Sequence, residues 1–473
     1  MRRFALLVLF AACGDNLDTT PTETPVEAVC NENDLDSLVA TLPNVTSAKA
    51  VTCGDFVQGA VRCYEVTITQ PVNQVTPGAT FGQHLFLMHR GCDRPTVVAD
   101  WGYSNDVFFD DELAVLFDAN ALWIEHRYQG SSAPVGADWD WTQLTIKNGA
   151  TDMHRVIDSF KHLYGANWVS TGASKGGITA TYHSFFFPND LDGRIPYVAP
   201  ASRSRIDSNY QTYLDRTLTS DCAQRIRDAQ IAALTTRRSM MLSHLAQTVG
   251  AGNEEIYLDA MTASFDWAFW QYRGERYCNS VPPATATDDA FWTFYAQTSG
   301  FFGPADDSLY ADGALSYEWL SEQGFALQIG AHVRDLLTSE YATMTMEDRF
   351  RSDFPDVDLP IYDGAVTRSA RHWALHYAQN MLLIYGQFDP WSGGALDEPE
   401  QPTSARLFAP AQTHGGAAIA TLTDADQALA IEHATRMFGV PPIMTRMRLA
   451  AAATERRDAI LARHEQRVLL RLP

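Results

Sequence analysis

Residues 168–187 read WVSTGASKGGITATYHSFFF, and the fold is decided by how this stretch turns. Trp168-Val169-Ser170 has the apolar, β-branched character of a strand, and Ile178 to Phe187 has that of a helix. Between them stands Gly172-Ala173-Ser174-Lys175-Gly176-Gly177. A serine flanked at two residues on either side by glycine, between strand and helix, is a nucleophile elbow. The turn is so tight that side chains at the glycine positions would collide, which is why they are glycine. Ser174 is left in a strained backbone conformation with its hydroxyl above the sheet. The N–H of Lys175 then points to where negative charge would develop on an attacked carbonyl.

Working outward from the elbow, short apolar strands alternate with helical stretches. Strand candidates are Tyr64–Ile68, His84–Met88, Thr96–Ala99, Ala121–Glu125, Trp168–Ser170 and Ile195–Val198, with a helix over Thr151–Leu163 between them. Alternation of this kind predicts a mostly parallel sheet covered by helices on both faces. The strand signal stops near residue 203. It returns at Met381–Tyr385 and Ala405–Phe408, followed by a helix near Asp424–Met437. The intervening aromatic-rich stretch is helical and is punctuated by Pro282-Pro283 and Gly303-Pro304. The organisation expected is a core in two parts, 30–204 and 377–440, interrupted by a helical cap over 205–376.

A serine hydroxyl is a weak nucleophile and needs a base that is itself oriented. After an elbow serine the expected order along the chain is Ser, acid, His. Asp389 follows the strand Met381–Tyr385 in Gly386-Gln387-Phe388-Asp389-Pro390, just where an orienting carboxylate belongs. His414 follows the next strand in Gln412-Thr413-His414-Gly415-Gly416. These features imply an α/β-hydrolase sheet with Ser174, Asp389 and His414 as triad. The second oxyanion donor is expected on the loop after Thr96–Ala99, at the N–H of Gly102 or Tyr103. Glu125, in Glu125-His126-Arg127, is expected either to pair with Arg127 or to bind a substrate amine.

Composition limits the alternatives. The 473 residues are 46% hydrophobic and 19% charged, with a net charge of −22. No basic field exists to attract nucleic acid. Arg2-Arg3, an apolar run from Phe4 to Phe10 and Ala11-Ala12-Cys13 read as an export signal over 1–12, with Cys13 lipidated and residues 13–29 as a tether. Phe10 stands where such cleavage sites usually carry leucine. The other cysteines form an even set, which fits disulfides in an oxidising compartment. The expected pairs are Cys53–Cys63, Cys222–Cys278 and Cys30–Cys92. No Cys-x-x-Cys pair suggests zinc, and the chemistry needs neither metal nor organic cofactor. The tail, 441–473, reads as a basic helix, with seven Arg against three acids from Ile443 onward. It is expected to dock on the core with its basic face solvated, a membrane-surface role being the alternative. Oligomeric state leaves no trace in the sequence.

The residues also resemble a known family. Residues 168–200, WVSTGASKGGITATYHSFFFPNDLDGRIPYVAP, resemble the secreted bacterial tripeptidyl aminopeptidases, a family of serine peptidases. YGQFDPWSGG around Asp389 and THGG around His414 match it in order, and EHRYQGSS at Glu125 is similar to the related prolyl carboxypeptidase and dipeptidyl-peptidase II family. The likeness spans about residues 60–440. It implies an α/β-hydrolase with a helical cap that removes short peptides from free N-termini, an oligopeptide being the substrate. Ser174, Asp389 and His414 carry over as nucleophile, orienting acid and base. The alternatives are an esterase or lipase using the same triad, and a catalytically inactive surface-binding lipoprotein.

Overall fold

The computed structural model describes residues 28–76, 78–135, 139–218, 220–299, 309–326 and 329–469. The export signal, Cys13 and most of the tether fall outside the described residues.

Nine strands form one sheet: β1 (Val45–Val51), β2 (Arg62–Pro71), β3 (Thr80–His89), β4 (Thr96–Asp100), β5 (Asn120–Ile124), β6 (Trp168–Ala173), β7 (Gly193–Tyr197), β10 (Leu382–Gly386) and β11 (Ala405–Ala409). Their order is β1-β2-β3-β5-β4-β6-β7-β10-β11. The pairs β1/β2, β2/β3 and β3/β5 are antiparallel. From β5 through β4, β6, β7 and β10 to β11 every pair is parallel. The parallel half is buried on both faces, and side chains alternate between two cores. Val97, Ala99, Ala121 and Trp123 join one face, and Val98, Leu122 and Ile124 join the other. Such continuous apolar runs are what a doubly covered parallel sheet requires.

Helices begin where side chains cap them. Thr145 accepts from the Asn148 N–H at 3.2 Å and starts the helix Ile146–Lys161, five residues earlier than its apolar spacing alone indicates. Between β7 and β10 the described residues are mostly helical from Asn209 to His376, and the two-residue strands β8 (Ile206–Asp207) and β9 (Phe325–Ala326) pair in parallel. This region has its own apolar core, built on Ile226, Met241, Leu258, Phe265, Trp270 and Tyr295. Disulfides join Cys30 to Cys92, Cys53 to Cys63 and Cys222 to Cys278, the last within the helical region. They are consistent with an extracellular protein. Among the described residues no helix is long and apolar enough to cross a membrane.

The C-terminal helix, Met447–Leu469, packs against the short helix Glu112–Phe117. Its Ala450, Ala453 and Arg457 are buried, and the Arg457 guanidinium lies 4.9 Å from the centre of the Tyr197 ring.

Candidate active site

Ser174 stands between the end of β6 and the helix Lys175–Phe186, with φ 57° and ψ −125°. An L-residue rarely adopts a positive φ, and here it persists because both sides of the turn are held. The Ser174 N–H donates to the Tyr197 carbonyl at 3.1 Å, and the Ser174 carbonyl accepts from the Ile178 N–H at 3.1 Å. Gly172 has φ +151°, and a Cβ there would lie 2.5 Å from the backbone C and O of Gly176. Only glycine lets the chain double back so closely.

Asp389 lies past the end of β10 and is fully buried. Its Oδ1 accepts from the Trp391 N–H at 3.0 Å, and its Oδ2 meets His414 Nδ1 at 2.8 Å. His414 is buried on the loop after β11, and its backbone N–H donates to the carbonyl of Gln271 at 3.2 Å. Gln271 belongs to a π-helical turn of the helical region, so the helices directly hold the histidine loop. On its other side, Glu112 accepts from the N–H groups of Ile419 and Ala420, each at 2.9 Å.

A pocket opens beside Ser174, walled by Tyr103, Ile178, Tyr210, Trp319 and Trp391. Trp391 connects it to the histidine, its ring centre lying 6.3 Å from that of His414. Trp267 and Tyr210 pack edge-on against Trp391 at 5.1 and 5.7 Å. Among the described residues, none that lines the pocket is acidic.

The two expected oxyanion donors fare differently. Lys175 is the first residue of its helix, so its N–H has no partner within the helix. The N–H of Gly102, in contrast, donates to Asp100 Oδ1 at 2.9 Å, which removes it as a donor to substrate. Asp-x-Gly is a local turn signal, and Asp100-Trp101-Gly102 carried it in plain sight. Tyr103, the other candidate, lines the pocket with Ser174.

Glu125 also needs correction. Arg127 pairs with Asp152 through Nε and Nη2, at 2.6 and 2.9 Å, and not with Glu125. Glu125 is buried, and its carboxylate accepts from the N–H groups of Asn105 and Ser131 and from the hydroxyls of Ser131 and Ser132. Those four donors tie two loops together and leave little acceptor capacity for a substrate amine.

Sequence reasoning missed a buried charge cluster under the elbow. Lys175 Nζ lies 2.5 Å from Glu318 Oε2, and Glu318 Oε1 lies 3.0 Å from His126 Nε2. His126 Nδ1 in turn lies 2.9 Å from both oxygens of Asp100. Burial disfavours a charged His126 and Lys175 repels it, but Asp100 and Glu318 prevail and raise its pKa to about 9. Burial would raise Glu318, yet Lys175 and His126 outweigh it and hold the carboxyl at about 2. One His–Cys–acid cluster, Glu32, His89 and Cys92, brings its ligand atoms within 4.8 Å of one another. The Cys92 sulfur there is bonded to Cys30, so it offers no thiolate to a metal.

Residues 53–473 match the family described as PS-10 peptidase S37. The chain is 32% identical over 396 residues to a prolyl tri/tetrapeptidyl aminopeptidase of Streptomyces mobaraensis, covering 80% of each chain. It also overlaps feruloyl esterase B of Aspergillus oryzae (TM-score 0.37, 13% identity, 86% of this chain and 91% of that one). A proline iminopeptidase of Mycobacterium smegmatis overlaps similarly (TM-score 0.31, 13% identity, 88% and 100%). Both overlaps are too loose to bear on its chemistry. With an elbow serine, a parallel sheet and a family match over most of its length, the chain belongs to the S37 peptidases and is a serine-type peptidase with an α/β-hydrolase fold.

Proposed function

We propose that the chain is an exported exopeptidase that releases short peptides, chiefly tripeptides, from the free N-termini of oligopeptides, with Ser174, His414 and Asp389 as its triad. The observation that carries this reading is the Asp389–His414 contact at 2.8 Å, with Trp391 linking that histidine to the pocket that Ser174 lines in its elbow conformation. His414 takes the proton of Ser174 as its Oγ attacks the scissile carbonyl, and Asp389 stabilises the imidazolium that forms. The N–H groups of Lys175 and Tyr103 receive the oxyanion. His414 then protonates the leaving amine, and a water that it deprotonates hydrolyses the acyl-enzyme.

The aromatic pocket suits a flat apolar side chain at the residue before the cut. A proline there agrees with the name of the Streptomyces relative. In a tripeptide the free amine lies two residues further on, roughly 7 Å away along an extended chain. An acid for that amine therefore belongs beyond this pocket. Export and a lipid anchor at Cys13 complete the proposal, and the mass of the mature N-terminal peptide tests them.

One observation favours a second reading. A pocket with no acid among its described lining residues also suits an ester with an apolar acyl group, and the same triad serves both chemistries. Wild type and Ser174→Ala, compared on blocked and unblocked tripeptide p-nitroanilides and on p-nitrophenyl esters, decide between them. Cleavage of the unblocked tripeptide alone, lost in Ser174→Ala, is the expected result. Turnover of the esters alone overturns the peptide specificity, and activity that survives Ser174→Ala overturns the triad.

A further inference from the structure

The buried charges under the elbow close into a ring around one peptide group. Asp100 accepts from the Gly102 N–H and from His126, His126 meets Glu318, Glu318 meets Lys175, and Lys175 Nζ donates to the Gly102 carbonyl at 2.8 Å. Asp100, His126, Lys175 and Glu318 are each at most 4% exposed. Gly102 has φ +76°, and a Cβ there would sit 2.6 Å from Lys175 Cγ, so the lysine stem lies directly against it. The carbonyl that Lys175 grips belongs to the same peptide unit as the N–H of Tyr103. That peptide is trans, so its N–H points opposite to its carbonyl. A cation on the carbonyl oxygen polarises the group and makes its N–H a stronger donor.

We propose that the Lys175 side chain is a positioning residue: held by Glu318, it fixes and polarises the Gly102–Tyr103 peptide so that the Tyr103 N–H is presented to the oxyanion. Lys175 thus serves the oxyanion hole twice, through its own N–H and through its ammonium on the neighbouring peptide. Glu318 ends the helix Leu309–Glu318 of the helical region, so the hole is assembled only when that region is docked. This rests on the reading of Ser174 as nucleophile and deepens it. A buried ion pair that merely pinned the helices would show in stability alone, because pairs of this kind add little beyond what apolar residues of similar size supply.

The test compares wild type with Lys175→Met, Glu318→Gln and the double variant Lys175→Met/Glu318→Gln, which leaves neither partner charged and alone. For the folded double variant, kcat on the tripeptide anilide falls about 10- to 100-fold with KM within about threefold. The affinity for a peptide trifluoromethyl ketone, whose hemiketal oxyanion needs the hole, falls in parallel, while that for the released tripeptide stays put. Lys175→Arg, which keeps a cation near the carbonyl, recovers part of kcat. A folded double variant with kcat and ketone affinity within about threefold of wild type overturns the proposal, as does an equal loss of ketone and tripeptide affinity. Fluorophosphonate labelling of wild type, absent in Ser174→Ala, runs alongside. Its failure would indict the triad, whereas failure of this inference shows in an enzyme whose turnover still depends on Ser174.

Discussion

Asp389→Asn isolates one function of the proposed triad, the choice of tautomer at His414. The substitution keeps size and shape in a fully buried site, and the backbone decides which way the new amide faces. The Trp391 N–H, 3.0 Å from Oδ1, requires an acceptor. The carboxamide oxygen must therefore stay on that side, which turns its NH2 towards His414 Nδ1, now 2.8 Å from Oδ2. Nδ1 has to accept that bond, so the ring proton moves to Nε2. A ring protonated at Nε2 cannot take a proton from Ser174. The charge that would stabilise the imidazolium is lost as well. In serine hydrolases this combination costs about 10,000-fold in kcat, about 5.5 kcal/mol of barrier. Asp389 does not line the pocket, so KM is expected to stay within about threefold of wild type. The assay is steady-state hydrolysis of an unblocked tripeptide anilide, with the fluorophosphonate labelling rate as a second measure and Ser174→Ala as the floor. A variant that keeps more than about a tenth of wild-type kcat, with unchanged labelling, would refute the argument that Asp389 sets the histidine tautomer.

Three other outcomes are expected. His126 is raised to about 9 against an ordinary value of 6.5; its contribution to stability is complete below about pH 6.5 and is lost as pH rises through about 9. The neighbouring charges it faces are Asp100, Glu318 and Lys175, with the Arg127–Asp152 pair next to them. A thermal midpoint that falls through this range in wild type, and earlier in Glu318→Gln, is the result to look for; a flat profile contradicts it. Glu125→Gln replaces an acceptor of four hydrogen bonds by a group with one oxygen. It should cost about 1–3 kcal/mol in denaturant unfolding while KM holds; a KM rise without loss of stability would restore the amine-binding reading. Cys222→Ser with Cys278→Ser opens a cross-link of sequence separation 56, worth about 4 kcal/mol on loop entropy. Limited proteolysis should then cut first between those positions, with Ser174 still labelled, and cutting elsewhere would show that the bridge does not hold the helical region.

What the sequence disclosed follows from range. The elbow is local: Gly172 must be glycine because a Cβ there would meet the backbone of Gly176 across a single turn. The parallel strands are legible because burial on both faces imposes unbroken apolar runs, as in Leu382-Leu383-Ile384-Tyr385. The strand β1, with four exposed residues and three partly buried ones, gives no such signal. Proximity along the chain suggested Glu125 as the partner of Arg127, whereas the fold supplies Asp152 from 25 residues further on, which nothing local in the sequence marks. The short helix Glu112–Phe117 and the carbonyl of Gln271 were silent, since a backbone acceptor leaves no mark on composition.

Glu318 shows where a stronger signal was available. It stands in Leu315-Ser316-Tyr317-Glu318-Trp319-Leu320, a charge amid large apolar residues, and such a residue is buried only if a partner awaits it. The partner lies in the elbow itself, at Lys175, where a residue with no role beyond its N–H need not carry a four-carbon ammonium. Two unexplained charges, one in each half of the molecule, thus account for each other. Together with the bond from His414 to Gln271, the pair gives the helical region a hold on both the Gly102–Tyr103 loop and the histidine loop. A helical region attached in this way is a component of the site rather than a cover over it, so changes at its base should alter kcat before they alter which peptides enter.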